Sequence, residues 1–173
     1  MDWQRFEAAW FDAVIDAISA TANANTRERF YAGAFWLLYG DGSKIAAPAF
    51  GMSSEAVDPG VRWHPPDWRW DIIHTAHERV ALLYEPLLSL TVSDERFEQL
   101  WEQHIDMLAR VCRRATAAVR TTAVGAPASA FTPGFFVGII DFAQGDAALD
   151  YLRRSVDSDT LAVCGVLTFD QDS

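Results

Sequence analysis

Phe30-Tyr31-Ala32-Gly33-Ala34-Phe35-Trp36-Leu37-Leu38-Tyr39 is apolar at nearly every position, with neither strict alternation nor a one-sided helical stripe. A run of this length and character fits a central strand covered on both faces. Asp41-Gly42 follows, a pair suited to a tight turn because both residues tolerate a positive φ. The next run, Lys44 to Phe50, contains Pro48, which cannot donate to a ladder and so places this strand at an edge. Together the two runs predict an N-terminal β-hairpin.

Upstream, Trp3, Phe6, Trp10, Val14 and Ile18 recur at helical spacing, and Asn23-Ala24-Asn25-Thr26 ends the pattern. Downstream, Gly51 to Pro66 reads as a loop rich in Ser, Pro and Gly. A second helix is expected from about Trp68, capped by Asp67, with Ile73, His77, Val80, Tyr84 and Leu87 on one stripe and Pro86 ending or kinking it near Glu85. Ser93 caps the longest helix. Phe97, Leu100, Trp101, His104, Ile105, Leu108, Val111, Cys112, Ala115 and Val119 hold its period, and Arg110, Arg113, Arg114 and Arg120 load its C-terminal half, where the helix dipole favours cations. Thr121 to Pro133 is a small-residue connector. Phe135 to Phe142 reads as a third strand, Gly145-Asp146 starts a short helix to about Ser155, and Leu161 to Phe169 reads as a last, central strand. The expected fold is therefore α+β, a mostly antiparallel sheet of four or more strands with helices packed on it, in the order α-β-β-α-α-β-α-β.

Half of the 173 residues are hydrophobic, enough for one full core over residues 1–173 but not for two. No apolar run reaches the roughly 18 to 20 residues that span a bilayer. Met1-Asp2-Trp3-Gln4-Arg5-Phe6-Glu7 mixes charges where a signal peptide needs a basic start and an apolar centre. Cys112 and Cys164, the two cysteines, each sit in an apolar pattern and read as buried thiols of a reducing compartment. These features point to the cytoplasm and away from the membrane. The net charge of −10 disfavours a nucleic-acid binder, which needs a basic stripe, and is compatible with a basic protein partner.

Arg62-Trp63-His64-Pro65-Pro66-Asp67-Trp68-Arg69-Trp70 is the most conspicuous local feature, with three of the seven Trp inside eight positions. Trp63, His64, Asp67, Trp68 and Trp70 are thus the candidate partner- or ligand-binding residues, as an aromatic wall. The structural alternative has the prolines stiffening a loop and the indoles plugging the base of a helix. His74 and His77 share a helix face that Glu78 or His104 could complete around an ion, but His-x-x-His-Glu matches no zinc or di-iron motif, and core histidines are commoner. Ser53-Ser54 lacks a nucleophile elbow, Cys112 lies mid-helix among apolar neighbours, and Asp141 ends an apolar strand where an acid is worth watching. No cofactor, metal or catalytic residue is assigned.

The amphipathic first helix, then Phe30-Tyr31-Ala32-Gly33-Ala34-Phe35, then Arg62-Trp63-His64-Pro65-Pro66-Asp67-Trp68, is similar in order and spacing to the bacterial domain of unknown function 4303 family. The likeness runs from about Trp3 to Phe169, and its most specific part is the Trp-x-Pro-x-Asp-Trp core. The family has no established active site, so no catalytic residue transfers. The resemblance implies a toxin-neutralising immunity factor or an accessory binding module.

The leading expectation is a non-enzymatic binding protein, an immunity protein occluding a basic toxin domain. Its acids should then cluster, as Asp12 with Asp16 or as Glu98, Glu102 and Asp106. The rivals are a small enzyme with its site around Trp63 to Trp70, which requires a histidine and a carboxylate within hydrogen-bond reach in a pocket, and an oligomerising module, which requires a large exposed apolar patch.

Overall fold

Asp2 opens the first helix of the computed structural model, which describes residues 1–37, 44–71, 80–121, 123–141 and 147–163. Its carboxylate accepts from Arg5 N at 3.1 Å, filling one of the free amides of the first turn, and α1 runs over Trp3–Ala24. Phe6, Trp10, Val14, Ala17 and Ile18 form its buried stripe. β1 (Phe30–Trp36) is buried at every position, as its lack of polar residues requires. It pairs antiparallel with β2 (Ala49–Ser54) and parallel with β4 (Phe131–Ile139), while β3 (Trp70–Asp71) adds a two-residue pairing to β2. The sheet order is β3-β2-β1-β4.

Five helices are present among the described residues. Besides α1 they are α2 (helical residues 80–84), α3 (Asp94–Arg120), α4 (Ala147–Ser155) and α5 (Ser158–Val163). Pro86 sits in the 3-10 turn Glu85–Leu87 that closes α2, where its missing N–H and ring deny an α-helix its next turn. Ser93 caps α3, its hydroxyl accepting from Arg96 N at 3.4 Å. None of these helices is long and apolar enough to cross a membrane.

The chain is α+β, but the expected sheet of four or more mostly antiparallel strands is wrong. Three strands of six to nine residues carry a mixed sheet, and β1, at its centre, is parallel to β4. The 27-residue α3 returns the chain so that β4 enters in the direction of β1, a crossover that consecutive hairpins would not give. The order fails at its end as well. Leu161 to Val163 are helical, because Asp157 captures the first turn of α5: its Oδ1 accepts from Thr160 N at 2.9 Å and its carbonyl from Leu161 N at 3.1 Å. Residues 164–169 of that expected strand, and the Asp41-Gly42 turn, lie outside the described residues.

The second strand is also displaced. Lys44 to Pro48 stay out of the ladder, and pairing begins at Ala49, directly after the proline. Gly51, Ser53 and Ser54, read as loop residues, are instead buried strand positions. Smallness is the reason: a Cβ on Gly51 would stand 3.1 Å from both the Trp36 ring and the Trp70 carbonyl, so only glycine lets β3 and that indole approach. The second helix does not start at Trp68 either, since Trp70 and Asp71 are strand and Asp67 belongs to a 3-10 turn, Pro65–Asp67.

Each face of the sheet has its own apolar cluster. Phe30, Phe35, Phe50, Met52, Phe135, Val137 and Ile139 meet α1, α2 and α3. Tyr31, Ala32, Ala34, Phe136 and Ile140 meet Trp68, Leu152, Val156 and Leu161 on the other side. The outer edge of β4 needs donors satisfied, and two helix hydroxyls do this. Val137 N donates to Thr116 Oγ1 at 2.8 Å, and Ile139 N donates to Ser155 Oγ at 2.9 Å. Both hydroxyls in turn donate back to carbonyls of their own helices. Ser155→Ala strands the Ile139 amide in the core, so we expect a loss of about 1–3 kcal/mol in urea unfolding; a change near zero would mean that water reaches that edge.

Candidate functional site

The segment from Arg62 to Trp70 is folded by its own backbone. His64 N donates to Val61 O, Asp67 N to His64 O and Trp68 N to Pro65 O, all at 2.9 to 3.0 Å, so the chain coils through the two prolines. This coil presses Trp68 onto the sheet, where it is 4% exposed, with its Nε1 donating to Val61 O at 3.1 Å. Tyr31 on β1 is the receiving ring. Trp63 and Trp68 both meet it edge-on at 6.2 Å, and its hydroxyl donates to Arg62 O. Trp63 also stacks over Phe136, and the Arg62 guanidinium lies 4.3 Å from the centre of the Tyr31 ring. Trp70 is half-buried on the opposite cluster, edge-on to Phe30 at 5.0 Å, under the Arg69 guanidinium, which pairs with Glu28 at 3.6 Å.

The five expected site residues are therefore not one wall. Trp68 is a core plug; Trp63 and Trp70 serve different clusters and keep only part of each ring outside. His64 and Asp67 are left on the surface, with His64 Nδ1 2.9 Å from Asp67 Oδ2 and both side chains more than half exposed. Asp67, expected to cap a helix, is occupied by this imidazole.

A second polar arrangement lies in the core between α1, α2 and α3. Trp10 Nε1 donates to Tyr84 Oη at 2.9 Å, and Tyr84 Oη is 2.7 Å from His104 Nε2. Tyr84 Oη accepts from the indole, and Nε2 is the acceptor in reach of its own proton, so the tyrosine donates to Nε2 and His104 carries its proton on Nδ1. That Nδ1 has no hydrogen-bond partner and is buried. Trp3, Trp101 and Tyr84 enclose the ring at 5.5 to 6.0 Å, and burial pushes its pKa down to about 3. His104 is thus a neutral core histidine. The His74, His77 and Glu78 that could have joined it lie outside the described residues.

Cys112 is fully buried, and desolvation pushes its thiol above the ordinary range despite the nearby Arg113 charge, so it is held as the unreactive thiol. Asp141 is buried at the end of β4, where Oδ2 accepts from Leu37 N at 2.8 Å and ties the ends of the two parallel strands.

The acids divide into two groups. On α3, Glu102 and Asp106 do share an exposed stripe, but Arg154 of α4 bridges them at 2.8 and 2.6 Å. Glu7 is similarly consumed: burial pushes its carboxyl up, and Arg110 and Arg114 outweigh that and hold it below the usual carboxylate range. Asp12 and Asp16 on α1, and Asp94, Glu95 and Glu98 at the start of α3, are exposed and have no ionic partner among the described residues.

Compared with known proteins, the chain matches no family model, no curated protein and no solved structure.

Proposed function

We propose that this chain is a non-enzymatic cytoplasmic binding protein, an immunity protein that neutralises a basic bacterial toxin domain by direct contact. The observation that carries this reading is the division of the acids. Asp12, Asp16, Asp94, Glu95 and Glu98 are exposed without an ionic partner among the described residues, so these five present unneutralised negative charge at the surface of a chain of net charge −10. Such a field speeds encounter with a basic partner and repels acidic ones. The indoles of the Arg62–Trp70 stretch support the fold more than they offer a surface.

Co-expression with the products of neighbouring genes tests it. Rescue from toxicity together with a co-purifying complex is expected, and the complex should weaken as salt is raised. If several candidate neighbours give neither rescue nor complex, the proposal is wrong. The exposed His64–Asp67 pair, an imidazole and a carboxylate within hydrogen-bond reach, favours one other reading, a small enzyme working at that turn. The same co-expression decides between them: protection that survives in His64→Ala overturns the enzymatic reading.

A further inference from the structure

From Val80 to Val92 the chain runs Val-Ala-Leu-Leu-Tyr-Glu-Pro-Leu-Leu-Ser-Leu-Thr-Val, with Glu85 its one charged residue in a protein where 22% of residues are charged. Val80, Tyr84 and Leu87 turn inward and are buried. Leu82, Leu88 and Val92 do not. With Met1 they make four of the five large apolar side chains that are exposed among the described residues. Scattered singly, such residues are ordinary; gathered on one segment, they mark a contact surface.

Beside Leu82 lies an open groove of about 570 Å³, walled on the far side by Met1, Asp2, Arg5 and Ala9 and floored by the buried Phe6. The surface thus carries a knob next to a hole: Leu82 stands 65% exposed, and the small Ala9 leaves the groove its depth. A patch with both is self-complementary under a two-fold axis, since each copy offers its leucine to the groove of the other. Charge points the same way. The charged side chains that line the groove are one carboxylate, Asp2, which caps α1, and one guanidinium, Arg5. This patch therefore lacks the negative excess of the chain as a whole. Two copies that each carry −10 repel one another, and a balanced apolar patch is where they approach at least cost.

We infer that this surface pairs two copies of the chain about a two-fold axis, with Leu82 of each copy seated over Phe6 and Ala9 of the other. The pairing goes beyond the toxin-binding reading and stands without it. On the order of a dozen residues per copy take part, which puts the contact among the small interfaces and makes the dimer a weak one. Salt gives it a signature. Screening removes the repulsion between two acidic copies and leaves the apolar contact intact, so the dimer tightens as salt rises. A complex with a basic toxin does the opposite.

Sedimentation velocity of the full chain, over roughly 10 µM to 1 mM and at about 0.05 and 0.5 M NaCl, tests the pairing. A single monomer–dimer equilibrium is expected, with its Kd at least about threefold lower at the higher salt. Leu82→Asp removes the knob and Ala9→Arg fills the hole. Each should weaken the dimer at least about tenfold with the circular dichroism unchanged, because Leu82 is exposed and Ala9 only partly buried. Ala9→Arg also makes each copy less negative, so its effect cannot come from added repulsion. Val163→Asp adds the same charge as Leu82→Asp to an exposed side chain of α5, a helix packed on the other face of the sheet, and should leave the dimer as it is in the parent. A chain that stays monomeric at every concentration leaves the groove to a different protein and overturns the pairing. So does a dimer that loosens with salt, one indifferent to both changes, or one lost equally in Val163→Asp.

Discussion

Unfolding free energy should fall as pH is lowered from about 6.5 toward 3, and most of the part due to His104 should vanish in His104→Gln. The direction follows from the two states. Folded His104 has its pKa lowered to about 3 from an ordinary 6.5, so between these values the unfolded chain binds the extra proton and is favoured. The contribution is fully present above pH 6.5, falls through the window and is exhausted near pH 3. The whole interval corresponds to about 5 kcal/mol, at about 1.4 kcal/mol per pH unit. Geometry gives the same sign. A second proton on Nε2 would oppose Tyr84 Oη, which already receives the Trp10 indole and donates its own hydrogen to that nitrogen. The tyrosine hydroxyl would then lose its acceptor, and the imidazolium would still have Nδ1–H unpartnered. Glutamine can accept from Tyr84 without titrating. Urea unfolding at pH 7, 6, 5 and 4 measures both slopes, and the range from 6 to 5 matters most because few carboxylates titrate there. Equal slopes in the two proteins would mean that His104 is hydrated and ordinary.

That histidine was legible in the sequence only as a position on the apolar stripe of α3. Its environment was not, because Trp10, Tyr84 and His104 are brought together by three helices, and no spacing within one segment announces such a meeting. Local features read well where local physics decides them: the Asp94–Arg120 helix behind Ser93, the break at Pro86 and the unbroken burial of β1. They failed where tertiary contacts decide. Gly51, Ser53 and Ser54 look like loop residues until Trp36 and β3 are seen to need the space. The apolar residues from Leu161 look like a strand until Asp157 takes the amide of Thr160.

The Arg62–Trp70 stretch was the most visible feature of the sequence, and its energetics separate its two readings. Trp68→Ala should cost about 3–5 kcal/mol, the range for losing a buried large aromatic ring. Three structural reasons place it at the upper end. The indole is 4% exposed; its Nε1–H is the donor to Val61 O; and the strand residues of its cluster include the small Ala32 and Ala34, which cannot grow into the space. Trp63→Ala should cost less, because that ring is only half-buried against Tyr31 and Phe136. His64→Ala should lie within about 0.5 kcal/mol of the parent, as an exposed pair contributes little. Guanidinium unfolding of the three variants, with near-ultraviolet circular dichroism to follow the tryptophans, gives the ranking. If Trp68→Ala unfolded within 1 kcal/mol of the parent, the indole would be a free surface ring, and an aromatic wall for a partner would again be the better account of this segment. A loss of several kcal/mol means that the tryptophan-proline turn is what seals the second face of the sheet. It would then serve any partner indirectly, by fixing the sheet against which α1 packs.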